Sequence, residues 1–401
     1  MQSCATAIDV AIVGAGISGI ACASALVGSH HTFAVLDARS KVGGRLLSHQ
    51  GVDMGASWTW PPHETRAAAL AAKLGIDLLP QRLDGNAFSF HQGSMRNVGN
   101  MGAAMAPCGG DAVRIQGGYA RLATTAAHDL PAGTVRLGST VTKVEKIDHA
   151  DANSGRNLLR VTYSNAADNT STELIARRVV LAMPPGVLAR SIHLSPALPA
   201  DQQKKMAATL TWCGDWAKVA ANFKSPFWRR SGHSGVVATP GPIQIWWEGG
   251  GGEELGDESY ALVGLGVGEE TRSFSRFEQP PAAGGGQGEG QGEAGQSAAS
   301  ADADASALRE YVIATLSPAF GASVSEELSS VSCKTWITDP LTYNPEGTHR
   351  DYGHPLLRRA TAFGVHFAGT ETEAANGHVE GAIAAGERAA AEVMASLGDE
   401  Q

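Results

Sequence analysis

Residues 8–13, Ile-Asp-Val-Ala-Ile-Val, form a short run that is apolar except at Asp9 and ends in glycines, the pattern of a buried strand. Residues 17–28 follow with small and apolar side chains suited to a helix, and residues 33–36 read as a second strand. Together they predict a βαβ unit of about 30 residues. Farther on, residues 134–146 alternate apolar and polar positions, and residues 157–163 and 173–182 read as strands separated by turns rich in Asn, Asp and Ser. That alternation predicts a small antiparallel sheet. The stretch from about 200 to 350 holds Trp212, Trp216, Trp228, Trp246, Trp247 and Trp336, six of the eight tryptophans, and is expected to form a second domain.

Composition changes this picture in one place. Residues 279–306 are nearly all Gly, Ala, Gln, Glu, Ser and Asp, which cannot bury enough apolar area to offset their ordering entropy. They are expected to be a disordered surface loop between a strand at 260–267 and a helix at 307–316. The rest is ordinary for an α/β chain of 401 residues, with 43% hydrophobic and 18% charged residues. A formal net charge of -9 argues against a polyanion-binding surface, so nucleic acid is not expected as a partner. The five cysteines, Cys4, Cys22, Cys108, Cys213 and Cys333, are odd in number and show no CxxC spacing, which suggests neither a disulfide framework nor a metal site. With no basic leader and no run of about 20 apolar residues, the expectation is a soluble, cytoplasmic protein without membrane contact.

Chemistry enters with Gly14, Gly16 and Gly19, a G-x-G-x-x-G motif at the first strand-to-helix junction, with Ser18 inside it. Such glycines permit a tight turn and let a pyrophosphate approach backbone N–H groups at a helix N-terminus, as in a Rossmann-type domain. Asp37 ends the second strand, where a carboxylate can accept hydrogen bonds from the adenosine ribose. The motif alone is a weak sign; with the carboxylate in place it points to a dinucleotide.

Ala38-Arg39-Ser40-Lys41-Val42-Gly43-Gly44-Arg45 and Asp53-Met54-Gly55-Ala56-Ser57-Trp58 select among dinucleotides. They resemble the flavin-containing amine oxidase family, which includes the monoamine and polyamine oxidases, whose pattern is E-A-R-x-x-x-G-G-R followed by D-x-G. Gly369-Thr370-Glu371 and Gly377-His378-Val379-Glu380-Gly381-Ala382, running into an alanine-rich helix, resemble that family's closing motif. Gly117-Gly118 before Leu122, and residues 177–188, resemble two of its internal segments, so the likeness spans nearly the whole chain.

The resemblance implies an α/β fold of the amine oxidase or glutathione reductase-like two-domain type. A discontinuous Rossmann-type FAD-binding domain (1–60, 111–199 and 358–398) would be interleaved with a mixed α+β substrate domain (61–110 and 200–357). It implies cofactor roles for Gly14, Gly16, Ser18, Gly19, Asp37, Arg39, Gly43, Gly44, Arg45, Gly55, Ala56, Ser57, Val141, Gly369, Thr370, Glu371 and Val379, and a place for Trp336 beside the isoalloxazine. Lys218 would hold a water at flavin N5 and assist reoxidation. His378 stands where the family's aromatic cage has a tyrosine, and is expected to act in proton transfer or substrate orientation. The second aromatic face is assigned to Trp246 or Trp247.

Residues 337–354 lack the cysteine through which animal monoamine oxidases attach their flavin, so FAD is expected to be non-covalent. The implied reaction is oxidation of a small-molecule amine to an imine, with O₂ reduced to H₂O₂. Two alternatives stay open: a flavin desaturase or porphyrinogen-type oxidase, and a flavin-binding protein with lost or regulatory activity.

Overall fold

The structure, a computed structural model, describes residues 7–147, 158–250, 260–278, 298–374 and 377–398. β1 (Ile8–Val13), α1 (Ile17–Leu26) and β2 (Phe33–Leu36) form where the apolar runs predict them. Among the described residues β1 lies inside an eight-stranded sheet, parallel to β2 on one edge and to the strand Ser171–Ala182 on the other. Successive side chains enter opposite layers. Val10, Ile12 and Val35 pack with α1 and the C-terminal helix Val379–Gly398, whereas Ala11, Val13 and Leu36 pack with Leu188, Met206 and Leu357. Burial on both faces is why these strands read as continuous apolar runs.

Ser171–Ala182 joins two kinds of sheet. Its first half pairs antiparallel with Leu158–Asn165, which pairs in turn with Ser139–Ile147; its second half runs parallel to β1 and to Val365–Ala368. The predicted small antiparallel sheet is therefore a wing of the nucleotide-domain sheet. Alternation reports which faces are buried, and it does not show that one strand continues into its neighbour's layer.

A seven-stranded sheet builds the second domain from Leu328–Thr335, Trp216–Phe223, Tyr260–Val267, Ile245–Glu248, His233–Ala238, Asn86–His91 and Ser94–Gly99, in that spatial order. One face packs on the helix Ala298–Phe320, with Leu308, Val312 and Leu316 set against Val219, Trp228 and Leu262. The other face brings Ala220, Trp247 and Val263 against Val52 and Met54.

Two sequence expectations need correction. Residues 298–306, expected in a disordered loop, belong to the helix Ala298–Phe320. Alanine's high helix propensity extends backwards the helix that Leu308, Val312 and Leu316 anchor by packing. Residues 279–297 of that tract lie outside the described residues. The domain limits also move. The helix Thr65–Lys73, expected in the second domain, packs through Ala67 and Ala71 against Leu46, Leu122 and Ile383 of the nucleotide domain. Met206 and Leu357 likewise enter the nucleotide-domain core. A short amphipathic segment shows that one face will be covered, and its sequence does not say by which neighbour. Among the described residues no helix is long and apolar enough to cross a membrane.

α1 and the C-terminal helix cross in backbone contact, for a Cβ on Gly386 would lie 2.2 Å from the Ser18 carbonyl oxygen. Gly386→Ala gains at most about 1 kcal/mol of helix propensity, against an overpacking cost of roughly 1–3 kcal/mol. A lowered urea midpoint is expected; an unchanged or raised one would show that the helices separate without cost.

Candidate active site

A cavity of about 530 Å³ is lined by residues of both domains. Its nucleotide-domain wall is built from glycine turns. Gly14 adopts φ +107°, and a Cβ there would meet the Ala182 carbonyl oxygen at 2.4 Å. Gly16 is different: it is the N-cap of α1, no side chain caps it, and the nearest atom to a Cβ there is 3.9 Å away. The first N–H groups of α1 are thus left for a ligand in the cavity that Gly16 and Ser18 line. The Asp37 carboxylate accepts from Ala15 N (2.6 Å) and Arg39 N (2.7 Å), which locks the turn. Burial pushes this carboxyl above its usual range, against those two hydrogen bonds and the Arg39 charge. Each carboxylate oxygen keeps a lone pair for a ribose hydroxyl.

The structure brings most of the expected cofactor residues to this cavity: Gly14, Gly16, Ser18, Asp37, Arg39, Gly43, Gly44, Arg45, Gly55, Ala56, Ser57, Val141, Trp336, Gly369, Thr370 and Val379 all line it. Gly19 and Glu371 do not. A Cβ on Gly19 would sit 1.8 Å from the Gly14 carbonyl oxygen, so this glycine serves the turn itself. Glu371 is fully buried and grips Arg45, with Nη1 donating to Oε1 (2.6 Å) and Nη2 to Oε2 (3.1 Å). The same pair clamps the backbone of Trp212 on both sides of its Cα, because Glu371 Oε1 accepts from Trp212 N (3.0 Å) and Arg45 Nη1 donates to Trp212 O (2.9 Å). Arg39 is held similarly, by Asp339 (2.8 and 3.1 Å) and Thr342 Oγ1 (3.1 Å). Both guanidinium groups therefore reach the cavity already balanced by a carboxylate.

The D-x-G motif has a structural logic of its own. Asp53 Oδ1 accepts from Ser48 Oγ (2.6 Å) and Tyr119 N (2.7 Å), starting the helix Ala120–His128 just after Gly117-Gly118. A Cβ on Gly55 would lie 1.8 Å from the Arg45 carbonyl oxygen, so only glycine lets the two cavity loops touch.

Lys218 extends from the strand Trp216–Phe223 and is buried. Its Nζ donates to Ser57 Oγ (2.5 Å), Gly55 O (2.6 Å) and Asp53 O (3.3 Å), and lies 5.9 and 5.5 Å from the ring centres of Trp58 and Trp247. Three donors thus meet three protein acceptors. Burial pushes the ammonium down to about 8, with Asp53 opposing. Trp336 donates from Nε1 to Met54 O (3.0 Å) and presents its ring to the cavity.

His378 stands at the start of the C-terminal helix and lines the cavity. Nδ1 is 2.7 Å from Oε1 of Glu64, a carboxylate only 2% exposed. Burial pushes Glu64 up, but hydrogen bonds from His378, Thr59 and Trp60 outweigh it and the net direction is downward. The imidazole stacks on Trp60 (centroids 5.4 Å apart, planes at 25°) and meets Trp212 edge-on (5.2 Å, 64°). Trp60 and Trp212 both line the cavity, as do Trp58, Trp216 and Trp336, whereas the expected Trp246 and Trp247 do not. Trp246 packs in the outer core of the second domain, and Trp247 lies behind Trp58. Sequence reasoning missed Glu64, Trp60, Trp212 and Asp339, which belong to no motif. The available signal was their place at the expected domain limit, with Trp60 closing the segment 1–60 and Glu64 soon after it. Cys213 lines the cavity too, and burial raises its thiol to about 12, which keeps it protonated at neutral pH.

Glycine turns at a strand-to-helix junction, the Asp37 carboxylate, two arginines each paired with a carboxylate and an aromatic pocket share one cavity, the arrangement expected of a dinucleotide-dependent enzyme. The family model described as flavin containing amine oxidoreductase matches residues 17–101 and 104–394, and the chain belongs to this family. Human amine oxidase (flavin-containing) B is 24% identical over 487 residues, covering 97% of this chain and 86% of that protein. Among solved structures, a putrescine oxidase with putrescine bound superimposes with a TM-score of 0.71 at 20% identity, over 97% of this chain and 99% of that one. Cyclohexylamine oxidase from Brevibacterium oxydans gives 0.71 and 20%, over 98% and 100%. The protein is an FAD-dependent amine oxidoreductase, and these relatives do not favour the desaturase or non-catalytic alternatives.

Lys218 gives a pH signature. Its folded value of about 8 lies below the ordinary 10.5, so between these limits the unfolded chain binds more protons and stability rises with pH. Urea unfolding of wild type and Lys218→Met, compared from about pH 7 to pH 10.5, is expected to show that rise only in the wild type. Equal profiles would place the ammonium in contact with solvent.

Proposed function

We propose that the protein oxidises a small amine to an imine with O₂ as electron acceptor and H₂O₂ as product. The observation that carries this reading is a single cavity in which an aromatic pocket of Trp60, Trp212 and His378 adjoins the dinucleotide cradle, with buried Lys218 in its wall. FAD fits the residues present. Gly16, Ser18, Gly43 and Gly44 offer backbone to the pyrophosphate, Asp37 and Val141 serve the adenosine end, and Ser57, Trp336, Gly369, Thr370 and Val379 line the remainder. When bound, the flavin supplies the redox chemistry, taking two electrons from the amine and returning them to oxygen.

The chain's own tasks are to bind, orient and keep dry. Trp60 and Trp212 present aromatic faces to the amine and its apolar substituent. Lys218 fixes a positive charge where negative charge develops during oxygen reduction, an effect strengthened by its burial among indoles. Its three protein acceptors hold the ammonium in place; a water at this point requires one of them to be exchanged.

An anaerobic titration with primary amines and polyamines tests the reading. Bleaching of the flavin band by one amine, with recovery and peroxide release on admitting air, is the expected result; a flavin that no amine bleaches would overturn it. Lys218→Met is expected to slow reoxidation of the reduced protein by about 10²–10³-fold, measured by stopped flow against O₂. An unchanged rate would remove Lys218 from the oxygen step.

A further inference from the structure

His378 and Glu64 form a pair that the amine-oxidation reading does not require, and the inference drawn here rests on that reading. Glu64 lies just before the helix Thr65–Lys73 and is almost wholly buried. Its Oε1 is 2.7 Å from His378 Nδ1, while Oε2 accepts from Thr59 Oγ1 (2.6 Å) and Trp60 N (3.3 Å). Those donors hold the carboxylate ionised and aimed at the ring. A carboxylate can only accept, so the neutral imidazole carries its proton on Nδ1 and keeps a lone pair on Nε2. Nε2 has no partner among the described residues, and the ring lines the cavity between Trp60 and Trp212.

We infer that the Glu64–His378 pair is the base that takes a proton from the ammonium of the bound substrate, His378 acting as the catalytic residue and Glu64 as its positioning residue. Amines reach the cavity as cations, and a protonated nitrogen has no lone pair with which to assist loss of hydrogen from the adjacent carbon. In the step, one N–H bond of the ammonium breaks and an Nε2–H bond forms. No electron changes centre. The positive charge moves onto an imidazolium whose counter-charge, Glu64, is already in place, and the proton passes to water after the product leaves. Trp60 and Trp212 hold the cation while it waits. The substrate class that follows is a primary or secondary amine bound as its ammonium ion; a quaternary ammonium has no proton to give and would bind without reacting.

Other groups around the ring are already committed. Glu380, on the same helix, accepts from Arg66 N and Ala67 N and pairs with the Arg66 guanidinium. Glu371, behind Trp212, is bound to Arg45, and Tyr352 meets Trp212 edge-on. Tyr119 lies behind Glu64, and Cys213 and Lys218 line other parts of the cavity wall. Glu64 alone among the described residues touches the imidazole nitrogens.

The test is the pH dependence of anaerobic flavin reduction, with cyclohexylamine and putrescine as probes, in the holoprotein. Wild type should show a rate that rises with pH along a limb that His378→Asn abolishes. Glu64→Gln should lower the rate near neutrality by about 10²-fold, since the amide neither fixes the Nδ1–H tautomer nor supplies the counter-charge for the transferred proton. Profiles unchanged in both variants would overturn the pairing while leaving amine oxidation standing. A wild-type flavin that no amine reduces at any pH would overturn the underlying reading, and it is recognised before any variant is made. Independently of turnover, ¹⁵N-histidine NMR of the wild type, assigned by difference with His378→Asn, should show the neutral ring protonated at Nδ1; protonation at Nε2 would overturn the inference even if the Glu64 variant failed to fold.

Discussion

The grip of Arg45 and Glu371 on the Trp212 backbone is the contact on which the rest of the site depends. Three segments more than a hundred residues apart meet there, and a fully buried carboxylate is satisfied by a bidentate guanidinium and a backbone N–H. Such a group is tolerated inside a protein only while every partner stays in place, and losing one typically costs about 3–5 kcal/mol. Trp212 then dictates its neighbour: a Cβ on Gly377 would lie 2.1 Å from the indole, so the residue before His378 must lack a side chain. Residues of the cofactor motifs thereby set the aromatic wall of the cavity as well.

The two domains are fastened at other points by the same kind of chemistry. Asp339 receives Arg39 from one side and Lys334 from the other (3.2 Å), while Lys334 also reaches Glu278 (2.9 Å). Lys218 extends from the second domain into carbonyls of the first. These links sit beside the cavity, so the two walls that line it keep a fixed relation, as the proposed reaction between two bound partners requires.

Features that depend on local backbone geometry were legible in the sequence. β1, α1 and β2 follow from an apolar run buried on both faces, and the glycine turns follow from conformations or approaches that only glycine allows. Partnerships across the fold were not legible. Glu371 sits in a cofactor motif yet serves Arg45, and Glu64 gained meaning only when folding brought it to a histidine 314 positions away. Trp246 and Trp247 illustrate a related limit. Adjacent strand residues point to opposite faces, one into the outer core and the other behind Trp58, and the sequence does not say which face holds the cavity. The early start of the helix Ala298–Phe320 arose because composition argued for disorder while neighbouring packed residues propagated helix through the alanines.

The crossing of α1 with the C-terminal helix bears on how the molecule is made. The helix that covers β1 and the strand Val365–Ala368 that flanks its sheet are among the last described segments of the chain. During synthesis the glycine turn and its strands wait, with one layer uncovered, while the second domain's sheet is already available to form. Contacts of such high sequence separation are slow to close. Closing that layer, and with it the wall that carries the glycine turn, depends on contacts such as Gly369 N to Ser18 Oγ, between residues 351 positions apart.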